Sequence, residues 1–361
     1  MFNGKRLRLA RKRRQMTARR FAEALGVTPV TISRWERGYN EPSPTILAAI
    51  AEALRFPPDF FLQDDLDEPV TEAASFRGLT AMTAKERNAA LAAGALAYLF
   101  TDWVRERFNL PKPDLLDLGE LRGEHPERAA RMLREYWGLG ERPIKNMVHL
   151  LEAKGVRVFS LAENTKSVDA FSCWRGEEPY IFLNTMKSAE RRRFDAGHEL
   201  GHLVLHKHGG TIRSREAERE ADRFAASFLM PHSDVISQVP YVRSLDQLVR
   251  FKKRWRVSVA ALAYRLHELD IISDWNYRTI CIQINKRGYN KKEPNPILPE
   301  TSIVWKRIFE SLWREGVTKG DIAKSIYIPL EEIENLVAGL LLNSNPPQCD
   351  EKRFPPLRLI E

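Results

Sequence analysis

The stretch FDAGHELGHLVLHKHGG, residues 194–210, gathers four of the chain's eight histidines: His198, His202, His206 and His208. His198 and His202 stand four residues apart with Glu199 beside the first, the pattern His-Glu-x-x-His. On a helix that spacing puts both imidazoles on one face, able to donate to one Zn2+, and sets Glu199 next to the position where a water would bind. Phe194, Leu203, Val204 and Leu205 supply the apolar surface of a buried helix. His206 continues the ladder, but a rise of about 1.5 Å per residue carries its backbone roughly 12 Å from that of His198, too far for both to reach one ion at about 2.1 Å. It reads as a core or supporting histidine, and His208 as a surface one.

A third ligand must therefore come from another element. In SREAEREADRFAASFLMP, 214–231, the residues Ala217, Ala221, Phe224, Ala225, Phe228 and Leu229 form the apolar stripe of a helix packed on the core. At about 100° per residue, Glu218 and Asp222 fall on one flank of that stripe and Glu220 on the other. Glu218 is best placed to lean toward a buried site, with Glu220 as the alternative ligand; helical geometry separates the two only weakly. Asp222, one turn beyond Glu218, suits accepting the other ring N–H of a ligating histidine and fixing its tautomer.

The elements that must hold these groups are also written in the chain. Helices are expected over 126–137 and 143–153 and a strand over 155–161, followed by a hairpin of VDAFSCW and PYIFLN around the turn RGEE. The segments RRRFDAGHELGHLVLH and EREADRFAASFLMP, with LREYWGLGERPIKNMVHLLEAKGVRV before them, resemble the ImmA/IrrE family of zinc metallopeptidases from about Pro126 to Pro231. The resemblance implies an α+β, zincin-like domain with a small sheet and a gluzincin-like site. His198, His202 and Glu218 would hold Zn2+, and Glu199 would take the proton of the attacking water and later protonate the leaving amine. It also implies that PYIFLN offers its edge to an extended substrate. Asp195 and Gly197 stand where the family has Thr- and Ala-like residues, and no Tyr or His is assigned to the oxyanion.

Charge singles out a different region. Residues 1–38 hold eleven Lys/Arg against two Glu, which accounts for the whole net charge of +9. A module that meets a polyanion shows such asymmetry, because displacing counterions from phosphates drives non-specific DNA binding. After the basic helix, Thr17 caps a helix with Phe21, Ala22 and Leu25 on one face, Ile32 and Trp35 pair on the next, and Ile46, Ala49, Ile50 and Leu54 mark a fourth. The run FAEALGVTPVTISRWERGYNEPSPTIL resembles the XRE-type helix-turn-helix family over about sixty residues. The resemblance implies a lambda-repressor-like bundle whose helix from Thr28 to Arg37 enters the major groove of an operator. Thr28, Val30, Thr31, Ser33 and Arg34 would face the bases, and Arg19 and Arg20 the phosphates. Ala18 replaces a Gln frequent in the family, and Pro29 sits in the first turn, where proline is tolerated.

The rest of the chain is plainer. Residues 62–83 are acidic and turn-prone, and Ala84 to about Arg107 reads as a helix. Beyond the helix in SVAALAYRLHELDII and a Gly/Asn/Pro loop at 288–299, Val304, Ile308, Leu312, Ile322, Ile326, Ile333, Leu336 and Val337 mark at least three helices. VTKGDIAKSIYIPLEEIENLV echoes a helix-turn-helix with Ile328 and Pro329 at the turn, but Glu331, Glu332 and Glu334 put negative charge where DNA contact needs positive. It reads as a packing, sensing or dimerisation element.

At 43% hydrophobic and 29% charged residues, with no apolar run of eighteen, the chain does not read as crossing a membrane. No secretory signal follows the basic N-terminus, and Cys173, Cys281 and Cys349 have no metal or disulfide spacing, so a reducing cytoplasm is expected. The expectation is a mainly α chain: a helix-turn-helix module over 1–65, a helical linker over 66–125, the zinc domain over 126–275 and a helical region over 276–361. In function it would be a dimeric operator-binding regulator that cleaves a partner repressor or itself. The alternative is a transcription factor whose zinc domain only senses a ligand or partner.

Overall fold

The computed structural model describes residues 1–70, 75–76, 82–123, 125–161, 169–207 and 215–341; His208 lies outside them. The first four helices are α1 (Gly4–Arg13), α2 (Ala18–Leu25), α3 (Pro29–Glu36) and α4 (Pro44–Leu54). Each begins at a side-chain cap: Asn3, Thr17, Thr28 and Ser43 accept from backbone N–H groups of the first turn. Gly26, at φ 66°, ends α2 in the left-handed conformation that the tight turn into α3 requires. Leu7, Phe21, Ile32, Ile50, Leu54, Phe60 and Phe61 are fully buried and form the module's core. Gly4 lets α1 lie directly on α3, since a Cβ there would stand 2.0 Å from the Trp35 carbonyl oxygen.

Strand β1 (Ser75–Phe76) and helix α5 (Ala84–Arg105) follow. Helix α5 lies within the segment expected as a helical linker, and it is closely packed. Residues Ala89 to Tyr98 of α5 are buried without a break, and α5 packs against α1. The physical reason is its Ala/Gly run, which presents little bulk and lets neighbours approach on every side. Phe100 stacks on Trp305 with ring centroids 5.3 Å apart, so α5 also reaches the C-terminal region.

Next come α6 (Pro126–Tyr136), α7 (Met147–Ala153), β2 (Arg157–Ser160), β3 (Ala170–Arg175), β4 (Glu178–Leu183), α8 (Ala189–Leu205) and α9 (Arg215–Leu229). Helix α7 starts four residues later than the sequence pattern suggests, because Asn146 accepts from the His149 N–H and caps it there. The sheet runs β1-β3-β4-β2, with β3 antiparallel to both β1 and β4, and β2 parallel to β4. This corrects the expectation for PYIFLN: β4 is paired on both sides and offers no edge. The parallel partner β2 takes the side that a simple hairpin would leave open, so the outer positions of the sheet belong to β1 and β2.

Seven further helices complete the described chain: α10 (His232–Gln238), α11 (Leu245–Trp255), α12 (Val259–Glu268), α13 (Asp274–Lys286), α14 (Val304–Arg314), α15 (Lys319–Ser325) and α16 (Leu330–Val337). The loop expected at 288–299 carries no helix or strand. Trp305 of α14 is buried and donates its ring N–H to the Val158 carbonyl oxygen of β2 at 2.7 Å. No described helix is long and apolar enough to cross a membrane.

Candidate metal centre

Helix α8 carries His198, Glu199 and His202, all buried beneath the sheet. Helix α9 lies alongside, and glycine makes the approach close: a Cβ on Gly201 would meet Phe224 Cδ1 at 3.0 Å and the Ala221 Cα at 3.3 Å. Gly197, the departure from the family pattern, faces Ala225 and Leu229 at an ordinary 3.4 Å and would accept an alanine. The close contact brings Glu218, on the first turns of α9, over the two imidazoles.

His198 Nε2 and His202 Nε2 stand 3.0 Å apart. Glu218 Oε2 is 3.5 Å from the first and Oε1 3.4 Å from the second. Ligand atoms at about 2.1 Å from a tetrahedral Zn2+ lie roughly 3.3 Å from one another, so these spacings match three corners of one coordination sphere. Among the described residues this is the one cluster of three or more His, Cys, Asp or Glu whose donor atoms converge in this way.

The surrounding groups assign the ring protons. Asp222 Oδ1 lies 2.9 Å from His198 Nδ1 and, as a carboxylate, accepts its N–H. His206 Nε2 donates to Glu220 Oε2 at 2.7 Å, which leaves His206 Nδ1 to accept from His202 Nδ1 at 3.0 Å. Burial pushes the His202 imidazole down to about 3, so the ring is neutral near pH 7; burial lowers His206 as well. Both ligating rings are then left with lone pairs on Nε2, facing a carboxylate. Three electron-pair donors pointed at one place fit a cation and little else.

Glu220, the alternative ligand, is turned away from this point: its Oε1 accepts from the Gly123 N–H at 2.7 Å and its Oε2 holds His206. The sequence reading placed His206 in a supporting role but missed that Glu220 anchors it. The signal was present in the geometry it used, since Glu220 falls on the flank of α9 opposite Glu218. Ser172 of β3 was also missed; its hydroxyl donates to Glu199 Oε2 at 2.6 Å and steadies that carboxylate under the sheet. Beside the site, a cavity of about 370 Å3 is lined by Asp222, Asp195, Arg191, Tyr264 and Lys291. Burial and the charge of Glu268 raise the Tyr264 phenol well above its ordinary range, so it keeps its proton.

The other candidate surface is α3 and the start of α2. Thr28, Val30, Arg34, Arg19 and Arg20 are exposed, while Thr31 and Ser33 are half-buried. Thr28 is partly engaged, since its hydroxyl caps the Thr31 N–H at 3.2 Å, and Arg19 pairs with Glu23. Much of the basic charge on α1 is spent within the protein. Arg11 binds Glu36, Arg6 donates to the Asp64 carbonyl oxygen, and Arg13 and Arg14 both bind Glu332.

Comparison with known proteins agrees with this partition. Residues 7–61 match the helix-turn-helix family model, and residues 151–267 match that of Peptidase M78, the IrrE N-terminal-like domain. The repressor protein C2 of Salmonella phage P22 is 37% identical over 65 residues, 18% of this chain and 30% of that protein. The HTH-type transcriptional regulator DicA of Escherichia coli (strain K12) is 38% identical over 68 residues, 19% of this chain and 50% of that protein. The chain thus spans half or less of the length of these curated relatives. Residues 7–61 are thus similar to helix-turn-helix modules of the XRE type, and residues 151–267 to the IrrE N-terminal-like domain.

Proposed function

We propose that the chain is a cytoplasmic DNA-binding regulator whose second unit is a zinc metallopeptidase acting on a protein substrate. The observation that carries the reading is the convergence of His198 Nε2, His202 Nε2 and a Glu218 carboxylate oxygen within 4.8 Å, one residue from a buried Glu199. His198, His202 and Glu218 would hold Zn2+, which would supply Lewis acidity to a water near neutral pH. Glu199 is the residue that would accept a proton from the attacking water and return it to the leaving amine. Asp222 keeps His198 in the tautomer that presents Nε2, and the Glu220–His206 pair does the same for His202. The substrate is another repressor or partner regulator, or the chain itself.

The first unit reads an operator with Thr28, Val30, Thr31, Ser33 and Arg34 toward base edges, and Arg19 and Arg20 toward phosphates. It acts as a homodimer on paired half-sites, as such modules do. Support comes from the exposure of α3 and from two relatives named as a repressor and a transcriptional regulator.

Elemental analysis of the purified protein tests the centre. Wild type and Glu220→Ala are expected to hold about one zinc per chain and Glu218→Ala far less; loss in Glu220→Ala alone would make that residue the ligand. Glu199→Gln keeps the zinc and loses all cleavage, and cleavage that persisted would remove Glu199 from the role of base.

A further inference from the structure

A second cavity, of about 410 Å3, lies between α6, α9 and the start of α10, on the part of α9 that carries Arg223 and Ser227. Its walls hold four arginines: Arg128, Arg131 and Arg134, each three residues on from the last along α6, and Arg223 of α9. Two carboxylates share these walls and do not balance them. Glu127 is bound by the Arg265 guanidinium, and Glu141 is exposed and raises the Arg134 pKa only through space. Arg131 and Arg223 have long contacts with carboxylates, 4.0 Å to Glu135 and 3.8 Å to Glu268, and Arg128 has none among the described residues.

Arg134 decides what the cavity suits. It is 3% exposed, yet its hydrogen bonds go to carbonyl oxygens: Nε to Gly140 at 2.9 Å, Nη2 to Gly140 at 2.7 Å and Arg142 at 2.6 Å, and Nη1 to Phe228 at 2.6 Å. Carbonyl oxygens solvate a cation without neutralising it, and a buried charge ordinarily has an opposite charge beside it. Burial pushes this guanidinium down to about 10. Guanidinium forks match phosphoryl oxygens two at a time. No Phe, Tyr or Trp lines the cavity, so it offers little to stack a base. Arg128 and Arg134 are about 9 Å apart along the axis of α6, a span suited to linked phosphoryl groups better than to a single one. Helix α6 also begins here with no side-chain cap at His125, so its first-turn N–H groups add to the pull on an anion.

We propose that this cavity binds a small oligophosphate, with diphosphate as its shortest ligand. The site is separate from the metal centre and does not depend on the peptidase reading. Bound there, the ligand would tie α6 to α9, the helix that carries Glu218.

The test is calorimetric titration of the full chain with inorganic pyrophosphate, tripolyphosphate and orthophosphate at one fixed ionic strength. The expected result is saturable binding at one site per chain, with pyrophosphate about tenfold tighter than orthophosphate. Arg128→Ala and Arg223→Ala, both at exposed positions, each weaken it about tenfold, the loss of one charged hydrogen bond, and leave thermal unfolding of the ligand-free chain unchanged. Glu218→Ala, which disables the candidate metal centre, binds pyrophosphate as wild type does; loss of binding in that variant would put the anion on the metal and overturn the proposal. Equal binding of orthophosphate and pyrophosphate, or heats that neither arginine replacement alters, would reduce the effect to charge screening and end it too. If a short DNA duplex displaces pyrophosphate and itself binds more weakly to Arg128→Ala, the phosphates recognised are those of the nucleic acid and the small-ligand site is lost.

Discussion

The chain contains two short helix pairs of similar design, α2–α3 and α15–α16, and they meet opposite surroundings. Each begins at a threonine cap, Thr17 or Thr318, and each second helix starts beside a proline, Pro29 or Pro329. Each buries a three-spaced apolar pair, Ile32 with Trp35 and Ile333 with Leu336. Yet α3 turns Val30 and Arg34 to solvent, whereas α16 turns Glu332 into the protein, 1% exposed, onto Arg13 Nε at 2.7 Å and Arg14 Nη1 at 2.8 Å of the first unit. The hydrophobic spacing builds the pair of helices; the charge on the second helix selects what it meets.

The largest way to break this comparison is to remove the acid. Glu332→Ala leaves the Arg13 and Arg14 guanidinium groups without their shared partner in a largely buried setting, and losing one member of a buried pair costs about 3–5 kcal/mol. Denaturant unfolding of the variant against wild type reads this directly. A loss below about 1 kcal/mol would mean that water reaches the pair and that α16 leans on the first unit without being fixed to it.

Much of this was open to sequence reasoning where local rules suffice. The caps, the turn at Gly26, the apolar faces of α2–α4 and the spacing of His198 and His202 all follow from period and propensity. The flank of α9 that carries Glu218 followed from helical geometry. What escaped depends on pairing between distant segments. Nothing in PYIFLN announces that β2 will pair parallel to it and remove its edge, and nothing in SF at 75–76 marks a strand. The Ala-rich α5 looked like a spacer because small residues are ambiguous: they suit an exposed helix and an unusually close-packed one equally well. Glu332 was recognised as wrong for DNA, but its partners lie more than 300 residues away in the chain.

A second test sharpens how the C-terminal helices are held. Glu152 of α7 is buried at their junction, accepting from the Ser302 hydroxyl and from the N–H groups of Ile303 and Val304. Burial outweighs these bonds and pushes its carboxyl up to about 7. The folded state then binds a proton that the unfolded chain has already released, so this group's stabilisation is complete below about pH 4.3 and is lost as pH rises toward 7. The expected fall is on the order of 3 kcal/mol across that window. Buried histidines such as His206 act in the opposite sense, since burial lowers them and unfolding lets them take a proton. The quantity to measure is therefore the difference between wild type and Glu152→Gln at pH 5 and at pH 7.5. A difference that does not change with pH would show that the hydrogen bonds keep the carboxylate charged throughout.

The smallest expected effect bears most directly on the two helix pairs. On the reading that α3 meets bases, Arg34→Ala costs about 1–3 kcal/mol of affinity for a duplex selected from random sequence, and it relaxes preference at one base position. Arg19→Ala or Arg20→Ala weakens binding to all duplexes alike and lowers the salt dependence by roughly one ion each. The matched substitution on the other pair is Glu334→Ala, on the exposed side of α16. It removes a negative charge without adding a donor, so affinity should stay within about twofold of wild type. A large gain would mean that α16 lies close enough to the DNA to repel it, and the division between a helix pair that faces nucleic acid and one that faces protein would then fail as a description of the assembled regulator.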